Sequence, residues 1–361
     1  MTPLYCIQEV QAVLAALPLP NPHFLAAFLI GILTCQKARF AKIAQAMPGE
    51  AKPSSQLMRL RRYLDHPRLL DLMFQTLLAL LPVDPPFVLT LDRTNWKIGK
   101  RDVNLLVLAV IVGKTAVPVL WQDLAHPGNS DTKHRIRLME RFLALLGKQA
   151  SNKIRLITAD REFVGGDWLK WLHQQKLPFL IRIRKDDFLT HSDGTYQEAY
   201  LYFALRADGC RNKKSVWSLW GTPVHVGGKC LPDGDWLIVV SNCPAVDLLH
   251  LYRYRWGIET LFQALKGRGF DLEGCTTTRM EGFFGLLSLA LVWCLRTGMV
   301  LEAKEPSKVL KHGRLPMSWF RRGLDYLHRL LAPLAGQANR EGFETAILLL
   351  RQGYLPAKHC L

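Results

Sequence analysis

The order of the apolar segments between residues 85 and 183 restricts the fold of this chain more than any other feature. Three short β-prone runs are followed by a helical pattern, a fourth apolar run, a second helical pattern and a fifth run. These segments cover residues 87–91, 103–112, 116–124, 136–146, 154–159, 167–175 and 179–183. The order β-β-β-α-β-α-β is typical of a mixed sheet with helices packed on its faces. The expected fold class is therefore α/β.

Two of these strands are predicted to end at an aspartate. Asp92 follows the run 87–91, and Asp160 follows the run 154–159. An aspartate at a strand end is more often a cap or turn residue than a functional one. Two carboxylates at adjacent strand ends, however, repel each other unless a cation neutralises them, and divalent cations bind carboxylate oxygens. The pair therefore indicates a metal-dependent site.

The pattern outside this core divides the chain into three predicted domains. Apolar residues recur at helical spacing through residues 1–84, where proline breaks indicate roughly four helices. The central domain is predicted to cover 85–300, with a β-rich insertion at about 186–243 that is rich in Gly, Lys, Arg, Trp and Tyr. Helical patterns continue in 301–361. We expect an all-helical N-terminal domain at 1–84 and a helical C-terminal region.

The charge of the chain favours nucleic acid as its partner. The 361 residues include 47 Lys and Arg against 30 Asp and Glu, which gives a formal charge of +17. Such an excess attracts polyanions through the summed field of the protein. One predicted helix carries Lys52, Arg59, Arg61 and Arg62. It is a candidate for binding in a DNA groove, and a solvated helix face explains it equally well.

The chain shows no pattern of an export signal or a membrane span. Its start lacks a basic n-region, and the longest apolar runs, around residues 24–35 and 285–295, are short for a bilayer and are predicted to be buried helices. The eight cysteines include no CxxC pair, which indicates reduced thiols. We expect a cytoplasmic, nucleoid-associated bacterial protein without a membrane partner.

A polar stripe marks the helix predicted from about residue 245 to residue 266. At about 100° per residue, Tyr252, Arg255, Glu259 and Lys266 fall within a sector of about 60°. A solvated face with an Arg255–Glu259 ion pair would explain such a stripe and would contribute only a few tenths of a kcal/mol. The four residue types with fixed gaps nevertheless form a specific pattern, Tyr-x2-Arg-x3-Glu-x6-Lys.

This pattern resembles the YREK signature of bacterial insertion-sequence transposases of the insertion sequence 4 type. Two other segments are similar to the same family. The segment LTLDRTNW at 89–96 resembles its first-aspartate strand, and ADREF at 159–163 resembles its second-aspartate block. The three segments occur in the order of the family, and the resemblance covers about residues 85–300. Arg93, where a small residue is expected, and Arg253 depart from the family pattern.

The resemblance implies a ribonuclease-H-like catalytic core in which Asp92, Asp160 and Glu259 are both the catalytic residues and the metal ligands. Each site would bind two Mg²⁺ ions, for which Mn²⁺ could substitute. Two ions suit phosphoryl transfer because one activates the attacking water or 3′-hydroxyl while the other stabilises the leaving oxygen.

The resemblance also implies which residues contact the DNA end. The residues that it places at the DNA end are Arg161, Tyr252, Arg255 and Lys266. Among these types, arginine binds a phosphate through two parallel hydrogen bonds, and lysine binds it as a point charge. Members with this signature are associated with a DNA hairpin, which requires a flipped base stacked on an aromatic ring. Trp236 is similar to the stacking tryptophan of the family. A core position for Trp236, with Trp217 or Trp220 stacking instead, stays open.

The predicted function is that of a DNA transposase that binds terminal inverted repeats, cleaves the transposon ends by metal-dependent hydrolysis, with a hairpin intermediate as one route, and joins them to target DNA. Double-stranded DNA is the predicted partner, and a homodimer is expected in the DNA complex because two ends must be brought together. Two alternatives stay open. One is a catalytically inactive or domesticated DNA-binding protein, and the other is a metal-dependent DNA nuclease without strand transfer.

Overall fold

The computed structural model describes residues 3–204, 216–244, 247–311, 313, 315–331 and 340–351.

The helix at Pro22–Cys35, α2, is capped by Asn21, whose side chain accepts a hydrogen bond from the backbone N–H of Phe24. Pro22, at the start of the helix, favours this boundary. One break more than predicted occurs at Gln36, which has a left-handed backbone with φ of 50°. Five helices therefore precede the first strand: α1 (Pro3–Leu14), α2 (Pro22–Cys35), α3 (Phe40–Ala46), α4 (Pro53–Leu64) and α5 (Leu69–Ala79).

Ten strands form one mixed sheet. In chain order they are β1 (Phe87–Ile98), β2 (Arg101–Val112), β3 (Thr115–Asp123), β4 (Ile154–Ala159), β5 (Phe179–Ile183), β6 (Phe188–His191), β7 (Tyr196–Glu198), β8 (Trp217–Leu219), β9 (Thr222–Cys230) and β10 (Trp236–Ser241). In space the order is β3-β2-β1-β4-β5-β10-β9-β8-β6-β7. Strand β2 is antiparallel to both β1 and β3, whereas β4 is parallel to β1 and β5. The predicted α/β fold class is confirmed, and the arrangement is consistent with a ribonuclease-H-like core.

The remaining helices connect or follow these strands. Helix α6 begins after Asp131, whose carboxylate accepts a hydrogen bond from the backbone N–H of His134, and it ends before Gly147. The predicted order β-β-β-α-β-α-β is therefore correct. The helices are α6 (Thr132–Leu146), α7 (Gly166–Gln174), α8 (Leu201–Ala204), α9 (Leu248–Leu251), α10 (Trp256–Leu265), α11 (Met280–Lys304), α12 (Trp319–Leu331) and α13 (Arg340–Leu348).

Strand β1 does not end at Asp92, as the sequence predicted, but continues to Ile98. Its antiparallel pairing with β2 runs without interruption as far as Ile98 and Arg101. Its parallel pairing with β4, in contrast, ends at Leu91 and Ala159. Asp92 therefore lies at the point where one of the two neighbouring strands stops, although its own strand does not.

The strands at residues 186–243 extend the main sheet. Strand β10 pairs with β5 in antiparallel register from Ile238 opposite Ile183 to Ser241 opposite Leu180. Strands β9, β8, β6 and β7 follow outward from β10. Residues 205–215 of the predicted insertion lie outside the described residues. The domain boundaries at 84, 186, 243 and 300 remain predictions.

Helix α11 passes through the centre of the hydrophobic core. It has 25 residues, which suffices to cross a membrane, but 89% of its most apolar stretch is buried inside the fold, as the predicted buried helix around residues 285–295 requires. Phe283 packs against Phe28 of α2 at a ring distance of 6.3 Å, and Phe284 packs against Trp121 of β3 at 5.0 Å. Trp121 also contacts Phe74 of α5. The same core thus joins the N-terminal helices, the sheet and α11.

Candidate active site

Asp92 and Asp160 directly follow the last paired residues of the parallel strands β1 and β4, at the same end of this strand pair. Each follows directly on the last paired residues, Leu91 and Ala159. Each carboxylate accepts a hydrogen bond of 2.8 Å from the backbone N–H of the next residue, Arg93 in one case and Arg161 in the other. The strands and the backbone therefore fix both carboxylates in position.

The predicted continuous helix of residues 245–266 is broken, which corrects the sequence-based interpretation. The described part contains α9, a 3₁₀ segment at Tyr252–Arg255 and α10, while residues 245 and 246 lie outside it. Lys266 follows α10 directly, with a backbone conformation that is not helical (φ −91°, ψ −131°). Because a 3₁₀ turn has 3.0 residues rather than 3.6, the predicted angular positions do not hold. Tyr252 and Arg255 are buried, which excludes the alternative of a solvated face for these two residues.

Arg255 links the helix to the strand-borne carboxylates. Its guanidinium donates to Asp92 Oδ2 at 3.3 Å and to Glu259 Oε1 at 3.1 Å. The hydroxyl of Tyr252 donates to the carbonyl oxygen of Ala159 at 3.3 Å and lies 3.4 Å from Asp160 Oδ1. The structure therefore brings together five of the predicted residues: Asp92, Asp160, Tyr252, Arg255 and Glu259.

Burial controls the electrostatics of this group. It raises the pKa of Asp92 to about 7, although the backbone N–H of Arg93 and the charge of Arg255 act in the opposite direction. Burial, together with the charge of Asp160, also raises the pKa of Tyr252, so this phenol is a neutral hydrogen-bond donor. Burial lowers the pKa of Arg255, but the surrounding Tyr252, Asp160, Asp92 and Glu259 outweigh that effect and raise it.

The donor atoms of this site suit a hard divalent cation. Carboxylate oxygens are the ligands that Mg²⁺ prefers, and Asp92 and Asp160 provide them from adjacent strands. Glu259 is connected to them through Arg255. Within the described ranges, no three His, Cys, Asp or Glu side chains are close enough together to hold a metal ion. The oxygen donors of Asp92, Asp160 and Glu259 thus suit the cation by their chemistry only, and Arg255 supplies the positive charge between Asp92 and Glu259.

Three other predicted DNA-contacting residues lie around this group. Lys266 is bound to Glu273 at 2.9 Å and to the carbonyl oxygen of Asn95 at 3.4 Å, farther along β1 from Asp92. Arg161 is exposed beside Asp160. Trp236 is half-buried at the start of β10 and stacks on Phe203 at 6.3 Å. Strand β5 is parallel to β4 and antiparallel to β10, so the start of β10 lies at the same end of these strands as Asp160.

The sequence analysis missed two features of this site. Arg93 appeared there only as a departure, yet it forms a two-point ion pair with Glu162 of the ADREF block. Trp256 is 63% exposed although it is large and apolar, and its ring lies 5.5 Å from the guanidinium of Arg255. Its position directly after Arg255 was the available signal.

Comparison with known proteins gives one family. Residues 80–295, more than half of the chain, match the family model described as "Transposase DDE domain". No curated protein matches the sequence. Among solved structures, the fold is similar to a piggyBac transposase synaptic complex with hairpin DNA determined by cryo-electron microscopy. The TM-score is 0.47 with 13% sequence identity, over 95% of this chain and 85% of that one.

Proposed function

The chain belongs to the transposase DDE domain family, and from that premise we propose that it cuts the ends of a mobile DNA element and joins them to target DNA. Enzymes of this family cleave and transfer DNA strands and generally use divalent metal ions. The observation that carries the proposal is that one helical segment connects to all three carboxylates: Arg255 pairs with Asp92 and Glu259, and Tyr252 contacts Asp160.

In this proposal, Asp92, Asp160 and Glu259 are the catalytic and metal-binding residues. Two Mg²⁺ ions, or Mn²⁺ in their place, would activate the attacking water or 3′-hydroxyl and stabilise the leaving oxygen. Arg255 orients Asp92 and Glu259 relative to each other, and Tyr252 does the same for Asp160. These contacts preorganise the carboxylates before DNA binds, which is how a fixed site lowers the barrier to phosphoryl transfer.

The residues around the carboxylates are proposed to hold the DNA end. Arg161 and Lys266 are proposed to contact phosphates of this DNA end. Within the family, the proposed subgroup is the insertion sequence 4 type with its YREK signature. For a hairpin intermediate, a flipped base requires an aromatic platform. Trp236 is the platform that the resemblance suggests, while Trp256 is the most exposed large apolar side chain of those described beside the carboxylates. Comparing Trp236→Ala with Trp256→Ala for hairpin formation discriminates between them.

The remaining predictions complete the proposed function. The N-terminal helices bind the terminal inverted repeat, a homodimer forms on two DNA ends, and the helical C-terminal region contributes to its interface. The enzyme acts in the cytoplasm, at the bacterial nucleoid. The charge of +17 supports DNA as the partner in each of these roles.

The direct test uses the purified chain, a duplex with the terminal repeat of its element, and Mg²⁺. The wild type is compared with Asp92→Asn, Asp160→Asn and Glu259→Gln for nicking, hairpins and strand transfer. Asp102→Asn is the matched control, because Asp102 lies on the same β1–β2 hairpin opposite Lys97. We expect cleavage and joining by the wild type and the control, and DNA binding without cleavage in the three site variants.

Two other outcomes would favour the alternatives. Cleavage without joining would indicate a nuclease. DNA binding without any cleavage by the wild type would indicate a non-catalytic DNA-binding protein, for which Arg255 would be a permanent structural cation between Asp92 and Glu259.

A further inference from the structure

Arg93 and Glu162 form a two-point ion pair beside the two aspartates. Arg93 follows Asp92 directly, and Glu162 is two residues after Asp160. The Nε of Arg93 donates to Oε1 of Glu162 at 2.7 Å, and Nη2 donates to Oε2 at 2.9 Å. The side chains are only 13% and 25% exposed. A bidentate pair of this kind fixes both distance and orientation, which a single contact does not.

Every N–H of the Arg93 guanidinium has an acceptor. Besides the two bonds to Glu162, Nη1 donates to Asn104 Oδ1 at 2.9 Å and to the carbonyl oxygen of Gly128 at 2.5 Å. The second N–H of Nη2 donates to Asn129 Oδ1 at 2.9 Å. Arginine has five such donors, and lysine cannot reproduce this planar arrangement. The side chain of Arg93 is therefore held in one orientation.

The pair lies where the backbone stops connecting the two strands. Hydrogen-bonded pairing of β1 with β4 ends at Leu91 and Ala159. Beyond that point β4 has ended, and the Arg93–Glu162 pair is the next connection between the two segments. Since the backbone N–H of Arg93 also donates to Asp92 Oδ1, the same residue holds the first aspartate directly.

A second arginine fixes the turn after Asp160 from its other side. Arg135 of α6 is buried and donates to the carbonyl oxygens of Glu162 and Val164 at 2.9 and 3.0 Å. It also donates to the hydroxyl and the carbonyl oxygen of Ser130. The turn at residues 160–164 and the loop at 128–131 are thus held by Arg93 and Arg135 together.

We propose that Arg93 and Glu162 are positioning residues that fix the separation between the carboxylates of Asp92 and Asp160. The inference rests on the proposed function, in which these two carboxylates bind divalent metal. Neither Arg93 nor Glu162 contacts the metal or the DNA in this account. Their substitution therefore changes the metal affinity of the site without removing a ligand.

The test measures Mn²⁺ binding by the full chain without DNA, from the loss of the electron paramagnetic resonance signal of free Mn²⁺. The variants are Arg93→Lys, Glu162→Gln and their combination, and thermal melting establishes that each is folded. Arg93→Lys keeps the positive charge and removes only the two-point geometry, while Glu162→Gln covers the case in which the lysine variant does not fold.

The matched control is Arg322→Lys. Arg322 of α12 pairs with Glu302 of α11, their side chains are 19% and 12% exposed, and Arg322 also donates to Ser307 Oγ at 3.0 Å. This pair has comparable burial but joins two helices rather than the two aspartate-bearing segments. It therefore reports the effect of losing a partly buried arginine–glutamate pair as such.

We expect Arg93→Lys and Glu162→Gln to weaken Mn²⁺ binding by about tenfold, the usual size of the loss when a group that orients a metal ligand is removed. The combined variant should be no weaker than the weaker single variant, and Arg322→Lys should bind as the wild type does. Wild-type affinity in Arg93→Lys would overturn the positioning role alone. Unchanged binding in Asp92→Asn, or no binding by the wild type, would overturn the proposed metal site and this inference with it.

Discussion

The strand-borne and helix-borne parts of the site are held in different ways. Asp92 and Asp160 are fixed by sheet pairing, by backbone N–H groups and by the residues beside them. Glu259 lies on α10, directly after a 3₁₀ segment, and its side chain is 39% exposed with Arg255 as its partner. Two carboxylates are thus held by strand and backbone contacts, whereas the third depends on a single side-chain partner.

Removing Arg255, which links the strand-borne and helix-borne parts of the site, should have the largest effect on the free energy of unfolding. Arg255→Met leaves Asp92 buried without its cation, and breaking such a pair costs about 3 kcal/mol of the free energy of unfolding at pH 8, where Asp92 is ionised. Chemical denaturation measures this loss. Arg253→Met is the control, because Arg253 is exposed two residues earlier. An equal loss in both variants would contradict the linking role of Arg255.

The pH dependence of stability should distinguish Asp92 from the exposed carboxylates. Burial raises its pKa from 3.8 to about 7 in the folded chain. The folded state therefore binds more protons than the unfolded state between these values, and stability is lost as pH rises through about 7. In EDTA, the wild type should lose roughly 2–3 kcal/mol more than Asp92→Asn between pH 5 and pH 8. Parallel pH profiles for the two proteins would show that Asp92 is not held in this environment.

A substitution of Lys266 tests whether the chain directly after α10 contributes to DNA binding. Lys266→Ala should weaken binding of the terminal repeat by about tenfold and reduce the slope of log affinity against log salt by about one. Fluorescence anisotropy at several salt concentrations measures both quantities. Glu273→Gln, which removes the partner of Lys266 but keeps the lysine, should leave the slope unchanged. An unchanged slope in Lys266→Ala would exclude a phosphate contact by this residue.

The smallest expected stability effect belongs to Glu259. Its contact with Arg255 is an i,i+4 pair on a partly exposed helix, so Glu259→Gln should change the free energy of unfolding by about 0.5 kcal/mol or less. The same variant should lose cleavage completely. A loss of stability as large as that of Arg255→Met would show that Glu259 is as rigidly held as the aspartates.

The sequence predicted the sheet well because apolar runs and caps are local signals. The order of the first five strands and two helices was correct. The extension of β1 past Asp92 was missed because Arg93, Thr94 and Asn95 lack an apolar pattern. Its pairing partner β2 stabilises it there, and a distant partner is not visible in a local pattern.

The roles of the predicted site residues stay predictions, but their spacing selected residues that the fold places in contact. Tyr252 lies against Asp160, and Arg255 pairs with both Asp92 and Glu259. The angular argument failed, because it assumed a regular helix where the chain forms a 3₁₀ segment and then leaves α10 at Lys266. Arg93 was treated as a departure, since its five acceptors come from three separate segments that only the tertiary structure assembles.

The central claim is that Asp92, Asp160 and Glu259 form one divalent-metal site, and iron-directed cleavage of the protein tests it most directly. The chain is loaded with Fe²⁺ in the presence of its terminal-repeat duplex, treated with ascorbate and peroxide, and the backbone cuts are mapped by mass spectrometry. We predict cuts close to residues 92, 160 and 259 that excess Mg²⁺ suppresses and Asp92→Asn removes. Cuts at only one of these segments, or at a different region of the chain, would contradict a shared site.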